Sequence, residues 1–222
     1  MKHPDLPSGE SSEPLTPTSL LSLPGMSEKA LAALTIYLKL LVEWRERINL
    51  VGRSTLLDPW RRHILDSAQL FAHLPPHTDT FYDIGSGAGF PGLVIALMDE
   101  PTTKPYARLI ESDSRKCAFL REVISATGAR ASVINGRAEN LPRKPAALIT
   151  ARAVAPLIRL LEFAHPLIDT STTCLFLKGA AVDGELTEAA RSWHMQTTRV
   201  ASLSDPAGTV LKLQGIARRD RR

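Results

Sequence analysis

Three glycines at alternate positions form the segment of this sequence best suited to hold a small molecule. Gly85, Gly87 and Gly89 lie between an apolar run that ends at Ile84 and an apolar segment that begins at Gly92. Glycine lets a ligand approach the backbone where a Cβ atom would clash, and a loop between a strand and a helix lies at the carboxyl edge of a parallel sheet. The spacing therefore predicts a ligand crevice at this loop.

The residues beside the glycines indicate which ligand the crevice holds. The dinucleotide fingerprint G-x-G-x-x-G requires a third glycine where this chain has Phe90. Asp83, before the loop, would repel a pyrophosphate, whereas its carboxylate suits a ligand that carries an amino group and a sulfonium. Glu111 ends the next predicted strand and can accept hydrogen bonds from both hydroxyls of a ribose.

A polar loop at residues 135–139 follows the third predicted strand. At the expected edge of an adenine, the backbone of Ala138 and the side chain of Glu139 can read the exocyclic amine. Each of these features alone also fits a turn or a solvated acid without a ligand. In this order along the chain they predict an adenosyl cofactor, S-adenosylmethionine. We expect no metal, because Cys117 and Cys174 are too far apart for a paired cysteine motif.

Alternating strands and helices must position these residues. Helical segments separate apolar runs of strand length, which predicts a doubly wound α/β fold with a parallel sheet covered on both faces. Two final runs flank the turn at residues 204–208 and predict an antiparallel closing pair. The predicted strands are 81–84, 107–110, 131–134, 146–150, 174–177, 197–203 and 209–217.

Four regions are predicted along the chain. Residues 1–25 are rich in proline and serine and are expected to form a disordered arm. Residues 26–75 form an N-terminal helical cap, with one helix capped by Ser27 and a second that begins at Asp58. Residues 76–217 form the main domain, and residues 218–222 are a basic tail.

Charge is concentrated in two places. The net charge is +4, and the tail alone, with four arginines and one aspartate, carries three of these charges. Several arginines also cluster between residues 45 and 62, so the cap and the tail are the expected contacts for phosphate groups. No apolar stretch approaches the roughly 20 residues of a membrane span, and the start does not resemble a signal peptide. We expect a cytoplasmic protein without a membrane partner.

The sequence resembles the RsmG family, also called GidB, over roughly residues 30–216. This family comprises bacterial guanine-N7 methyltransferases of small-subunit ribosomal RNA. The strings that carry the resemblance are DIGSGAGFPG from Asp83, HILDS from His63, NLV from Asn49, RAE from Arg137, RAVAPL from Arg152 and KG from Lys178. Two departures are the run at residues 146–149, where the family usually has an aspartate, and the long arm.

The resemblance implies a Rossmann-like class I methyltransferase fold with a mostly parallel seven-stranded sheet. It implies S-adenosylmethionine as cofactor, a guanine in the decoding-region loop of 16S ribosomal RNA as acceptor within the small subunit, and a monomer. Guanine N7 has a free lone pair, so no general base is required. The cofactor contacts expected from the resemblance are Gly85, Phe90, Glu111, Ala138, Glu139 and Arg152. The residues expected to position guanine or its phosphates are Arg152, Lys178, Asn49 and His63.

Other functions remain possible at this point. A nicotinamide-dependent oxidoreductase shares the parallel sheet, although Phe90 and Asp83 oppose it, and an inactive ribosome-assembly factor could have kept the fold. A hydrolytic triad of His63, Asp66 and Ser67 is disfavoured because three side chains on one helix face cannot form the required relay. A local pair between His63 and Asp66 is the expected alternative, and Arg152 could form only a salt bridge at the end of its strand.

Overall fold

A seven-stranded sheet forms the centre of the molecule. The structure is a computed structural model that describes residues 14–98 and 105–219. The strand order is β3-β2-β1-β4-β5-β7-β6, in which β1 to β5 are parallel and β7 is antiparallel to both of its neighbours. This confirms the predicted fold class. The strands are β1 Thr80–Ile84, β2 Tyr106–Glu111, β3 Ala131–Asn135, β4 Leu148–Arg152, β5 Thr173–Lys178, β6 Trp193–Ala201 and β7 Thr209–Arg218.

Helices cover both faces of the sheet, and local capping fixes where they begin and end. The Ser27 side chain accepts from the Ala30 amide at the start of α1, and Asp113 accepts from the Arg115 amide at the start of α4. Gly128 ends α4 in the left-handed conformation. The helices are α1 Glu28–Arg45, α2 Asp66–Ala68, α3 Gly92–Leu97, α4 Ser114–Thr127, α5 Leu157–Ala164 and α6 Val182–Ala189.

The second predicted helix is a composite. It begins with the π-helical residues Trp60–Leu65, continues through the single turn α2 and ends with the 3₁₀ residues Gln69–His73. Asp58 caps it as expected, because its Oδ1 accepts from the Arg61 amide at 3.1 Å. A π-helical turn widens a helix locally and is frequent at functional sites. We refer to residues 60–73 as the composite helix.

The N-terminal cap shares a core with the main domain. One hydrophobic cluster contains Leu34 and Leu41 of α1 together with Phe81 of β1 and Phe119 of α4. The opposite face of the sheet packs against α5 and α6 in a second cluster. The cap is therefore part of the same core as the main domain.

The structure differs from the predicted arm. The first 13 residues of that arm lie outside the described residues, but Pro17–Ser22 form a 3₁₀ helix and Leu20 is fully buried. The Leu15 amide donates to Asp58 at 3.2 Å. Prolines were expected to prevent structure here, but Pro17 fits the first position of a helix and the nearby leucines are buried in the core.

One helix and two strand starts also differ from the sequence expectation. Helix α6 was not predicted, β4 begins at Leu148, and β6 begins at Trp193. Most residues of β6 are exposed, so its sequence lacks the apolar pattern of a buried strand. Within the described ranges, no helix has both the length and the apolar character that a membrane crossing requires.

Candidate cofactor and substrate site

The glycine loop follows β1 at the carboxyl edge of the sheet, as the sequence predicts. Gly85, Gly87 and Gly89 have φ angles of 63°, 55° and 95°, a region that favours glycine. A Cβ atom at Gly85 would lie 2.7 Å from Cγ2 of Val154. The glycines therefore keep the backbone of the loop close to its neighbours and leave a cradle that a side chain would fill.

Glu111 holds the loop from the end of β2. Its Oε2 accepts from the Gly87 amide at 2.8 Å, and its Oε1 accepts from the Asp113 amide at 2.8 Å. A carboxylate oxygen has two lone pairs, so each oxygen keeps one acceptor site for a ribose hydroxyl. Glu111 is in the position that the sequence indicates for a residue that binds a ribose.

A depression brings together the three segments that the sequence indicates, and we call it the cofactor depression. Gly85, Glu111, Ala138 and Glu139 all line it, and Val154 forms part of its wall. Gly87 and Gly89 are not part of the lining and shape the loop behind it. A glycine cradle beside a carboxylate with free lone pairs fits an adenosyl ligand.

Asp83 is fully buried below the loop. The Thr150 hydroxyl donates to its Oδ1 at 2.7 Å, while its Oδ2 has no hydrogen-bond partner among the described residues. Burial raises the pKa of Asp83 from 3.8 to about 6, against the lowering effect of the Thr150 hydroxyl. The side chain lies below the cofactor depression and lines neither it nor the larger cavity next to it.

The larger cavity, of about 710 Å³, lies on the other side of Val154. Because Val154 lines both spaces, they are direct neighbours. Three ion pairs line this cavity, and each connects two different elements. They are Arg62–Asp205 at 2.8 Å, Arg152–Asp66 at 3.1 Å and Lys178–Glu185 at 2.7 Å. We call it the ion-pair cavity.

Arg152, the last residue of β4, is held on several sides. Its Nη1 donates to Asp66 Oδ2 at 3.1 Å and to the Arg62 carbonyl at 3.0 Å, and its Nη2 lies 3.2 Å from His63 Nδ1. The guanidinium also lies 4.7 Å from the ring centroid of Phe90. These contacts fix the guanidinium at the wall of the ion-pair cavity.

His63 is neutral in this arrangement. Burial, with the neighbouring charges of Arg152 and Arg62, lowers the pKa of His63 to about 3. Since arginine can only donate, Nδ1 must accept from Arg152, and Nε2 then donates to the Thr55 hydroxyl at 2.9 Å. A neutral His63 thus helps to orient Arg152.

The expected pair between His63 and Asp66 is replaced by a shared contact with Arg152. Both side chains bond to this arginine from the composite helix, because it reaches between them from β4. The Phe90 ring stacks between His63, at a centroid distance of 4.8 Å, and Tyr37, at 5.1 Å, and is buried. Phe90 lines neither space, so any effect of it on a ligand passes through Arg152 and His63.

The two remaining predicted residues lie in different places. Lys178 lines the ion-pair cavity, where it also donates to the Ala155 carbonyl at 2.8 Å. Asn49 is exposed and lies outside the ion-pair cavity, in a neighbouring depression. Three further residues of the cavity were not indicated by the sequence, namely Thr55, Glu185 and the acidic partner Asp205. No local motif could have identified them, because their partners lie on other elements of the fold.

Known proteins of one family match most of this chain. The family profile described as GidB, rRNA small subunit methyltransferase G, matches residues 30–210. A protein of Paramagnetospirillum magneticum named Ribosomal RNA small subunit methyltransferase G is 48% identical over 202 residues, which cover 91% of this chain and 97% of that protein. A protein of the same name from Rhodospirillum rubrum is 47% identical, with 92% and 100% covered.

Solved structures share the fold at low sequence identity. A TehB-like SAM-dependent methyltransferase from Corynebacterium glutamicum superposes with a TM-score of 0.55 at 14% identity, covering 82% of this chain and 98% of that chain. A SAM-dependent methyltransferase from Aquifex aeolicus gives 0.55 at 17% identity, covering 72% and 95%. At these identities the structures show a common fold.

Proposed function

Because this chain belongs to the rRNA small subunit methyltransferase G family, GidB, we propose that it methylates N7 of one guanine in 16S ribosomal RNA. It is a methyltransferase that uses S-adenosylmethionine. The acceptor is the decoding-region loop within the small subunit, and the enzyme acts in the cytoplasm as a monomer. The cap at residues 26–75 and the domain at 76–217 act together in this proposal. Arg218 and Arg219, the described residues of the expected basic tail, lie beside Ser192 and Trp193 at the amino end of the parallel strands, away from the cofactor depression.

One observation carries this proposal. The cofactor depression and the ion-pair cavity meet at Val154. The first offers the acids Glu111 and Glu139 to an adenosine, and the second offers donors of Arg152 and Lys178 to a guanine. The shared residue Val154 thus supports neighbouring sites for the cofactor and the base.

The cofactor, when bound, supplies a methyl group on a sulfonium. Transfer of this methyl group to the N7 lone pair would break its bond to sulfur and leave the positive charge on the purine. No proton moves, which fits a site where His63 is neutral and already bonded through both ring nitrogens. The acceleration then comes from orientation and from the fixed charges around the base.

The residues of this chain have separate roles. Glu111 binds the ribose, the segment at Ala138 and Glu139 binds the adenine, and Gly85 admits the cofactor to the backbone. Arg152 donates to the guanine O6 or to a flanking phosphate, held in place by His63 and Asp66. Lys178 supports the same opening from the end of β5.

The test uses ribosomal material from a strain that lacks this gene. Purified small subunits and free 16S RNA are each incubated with the enzyme and methyl-labelled S-adenosylmethionine, and the modified nucleotide is mapped by mass spectrometry. We expect one N7-methylguanine, formed more efficiently in subunits than in free RNA. Methylation of a different atom, or label in protein alone, would overturn the proposal.

A parallel binding measurement separates the competing enzyme class. Calorimetry with S-adenosylhomocysteine should show saturable binding, whereas NAD should show none, because the acids at the glycine loop repel a pyrophosphate. Binding of NAD in place of S-adenosylhomocysteine would support the oxidoreductase instead.

A further inference from the structure

A third depression, of about 360 Å³, lies next to the ion-pair cavity. The two share Val51 and Gly52, so their walls are continuous. We call it the arginine depression. Its lining is formed by the last residue of α1 and by the segment that follows this helix, namely Arg45, Glu46, Arg47, Ile48, Asn49, Val51, Gly52 and Arg53.

The arginines of this depression are available to an external anion. Arg47 and Arg53 are exposed, and no ion pair of either is found among the described residues. The guanidinium of Arg47 lies 5.9 Å from the ring centroid of Trp44. Stacking of this kind orients a guanidinium while its edge can still donate to a phosphate. Arg45 has only a long contact of 3.9 Å with the exposed Glu46.

Each of the neighbouring cations has an acidic partner. Arg61 is 7% exposed and donates to Asp58 at 2.9 Å, and Arg62 is paired with Asp205. Arg152 and Lys178 are paired in the ion-pair cavity. The arginine cluster that the sequence shows between residues 45 and 62 is thus divided into structural members and members with free donors. The free members all lie at the arginine depression.

We propose that the arginine depression binds the sugar-phosphate backbone of the RNA strand on one side of the nucleotide that enters the ion-pair cavity. This inference rests on the proposed function. Phosphates are recognised by arginine through paired N–H donors, and the shared wall at Gly52 gives the strand a continuous path from one space to the other. The exposed amide of Asn49 supplies a neutral donor at the same place.

The assignment also gives Asn49 a different role from the one expected from the sequence. Asn49 contacts the backbone beside the target and not the target base. Backbone contacts fix the register of a nucleic acid without reading its sequence. Loss of the arginine depression should therefore weaken RNA binding without changing which nucleotide is methylated.

The test compares charge reversals at two ends of the molecule. Arg47→Glu, Arg53→Glu and the double variant are compared with Arg191→Glu. Arg191 is also exposed, but it directly precedes β6. Because β6 runs in the same direction as β1 to β5, Arg191 lies at the amino end of these strands, opposite their carboxyl end. Affinity for small subunits and for 16S RNA is measured across a series of salt concentrations, with S-adenosylhomocysteine binding as the check on folding.

We expect the double variant to bind RNA about tenfold more weakly or worse, with a salt dependence of log K reduced by about 0.7 for each lost single-strand phosphate contact. KM for RNA should rise while kcat at saturating RNA and cofactor affinity stay unchanged, and Arg191→Glu should match the wild type. RNA affinity of the double variant equal to that of the wild type overturns the inference. A wild-type protein that neither binds nor methylates RNA overturns the proposed function instead.

Discussion

The cofactor depression and the ion-pair cavity share a wall but are built in different ways. In the first, the glycine loop and Glu111 come from adjacent strands, and Gly87 bonds to Glu111 at a separation of 24 residues. In the second, Arg152 meets Asp66 across 86 residues and Arg62 meets Asp205 across 143. A compact motif with backbone constraints builds the first space, whereas only the complete fold assembles the second.

The two spaces also differ in how their charges are satisfied. In the cofactor depression, Glu111 accepts from two backbone amides and Glu139 has only a loose contact with Arg137, and Asp83 below it is buried without a cation bonded to it. The carboxylates of the ion-pair cavity are each bonded to a basic side chain. A cationic cofactor and an anionic RNA have opposite requirements, and the proposed function assigns them to the two spaces that meet at Val154.

The largest effect is expected from Gly85→Asp. The new side chain would collide with Val154 and fill the cradle, so affinity for S-adenosylhomocysteine should fall by about 100-fold or more in calorimetry. Gly128→Asp is the matched control, because Gly128 also has a positive φ of 69° but nothing lies within 4 Å of its Cβ position. If Gly85→Asp bound the ligand normally, the cofactor would not lie at this loop.

Replacement of Arg152 tests the ion-pair cavity. Lysine cannot reproduce the several contacts of the guanidinium, so Arg152→Lys should lower kcat/KM for RNA by about 10- to 100-fold. Arg62→Lys is the control, since its pair with Asp205 is more exposed and should tolerate the change with less than about a tenfold loss. Equal losses in both variants would contradict a special position for Arg152.

The substitution Glu111→Gln also tests the cofactor depression, and its expected effect on cofactor affinity is smaller. A glutamine has only one acceptor oxygen for the amides of Gly87 and Asp113, so affinity for S-adenosylhomocysteine should fall by about tenfold. Glu139→Gln should have a smaller effect, because Glu139 has only a loose contact with Arg137 at 3.9 Å. An unchanged affinity in Glu111→Gln would remove Glu111 from the ribose site.

The smallest expected effect is a pH dependence of the free energy of unfolding that is caused by Asp83. Its pKa is raised to about 6 in the folded protein, so below pH 6 the folded state binds a proton that the unfolded state takes up only near 3.8. The wild type should therefore gain stability relative to Asp83→Asn as pH falls from 6 to 4, by about 1 kcal/mol per pH unit. Denaturant unfolding of both proteins measures this difference. His63 also makes stability depend on pH, but it does so in both proteins, so its contribution cancels in the difference. A difference that shrinks as pH falls would show that the folded carboxyl prefers its charged form.

The sequence predicted those features whose causes are local. The glycine loop and Glu111 at the end of β2 depend on neighbouring residues, and the structure places them as expected. The parallel sheet follows from the alternation of apolar runs and helices. These features can be predicted without knowing which residues are in contact across the fold.

Features that depend on tertiary contacts could not be predicted in the same way. The burial of Leu20 overrides the prolines around it, and β6 pairs with β7 although most of its residues are exposed. His63 and Asp66 looked like a local pair because they are close in sequence, yet Arg152 takes both. The sequence does not show whether an arginine is ion-paired within the fold or available to an external anion, because this depends on its partners in the structure.

A measurement of two ligands on two variants tests the separation of the sites most directly. Affinities for S-adenosylhomocysteine and for small subunits are determined for Gly85→Asp and for the double variant of Arg47 and Arg53 to glutamate. We predict that the first variant loses the cofactor and keeps RNA binding, while the second weakens RNA binding and keeps the cofactor. A loss of both ligands in either folded variant, or the reverse pattern, would contradict the account.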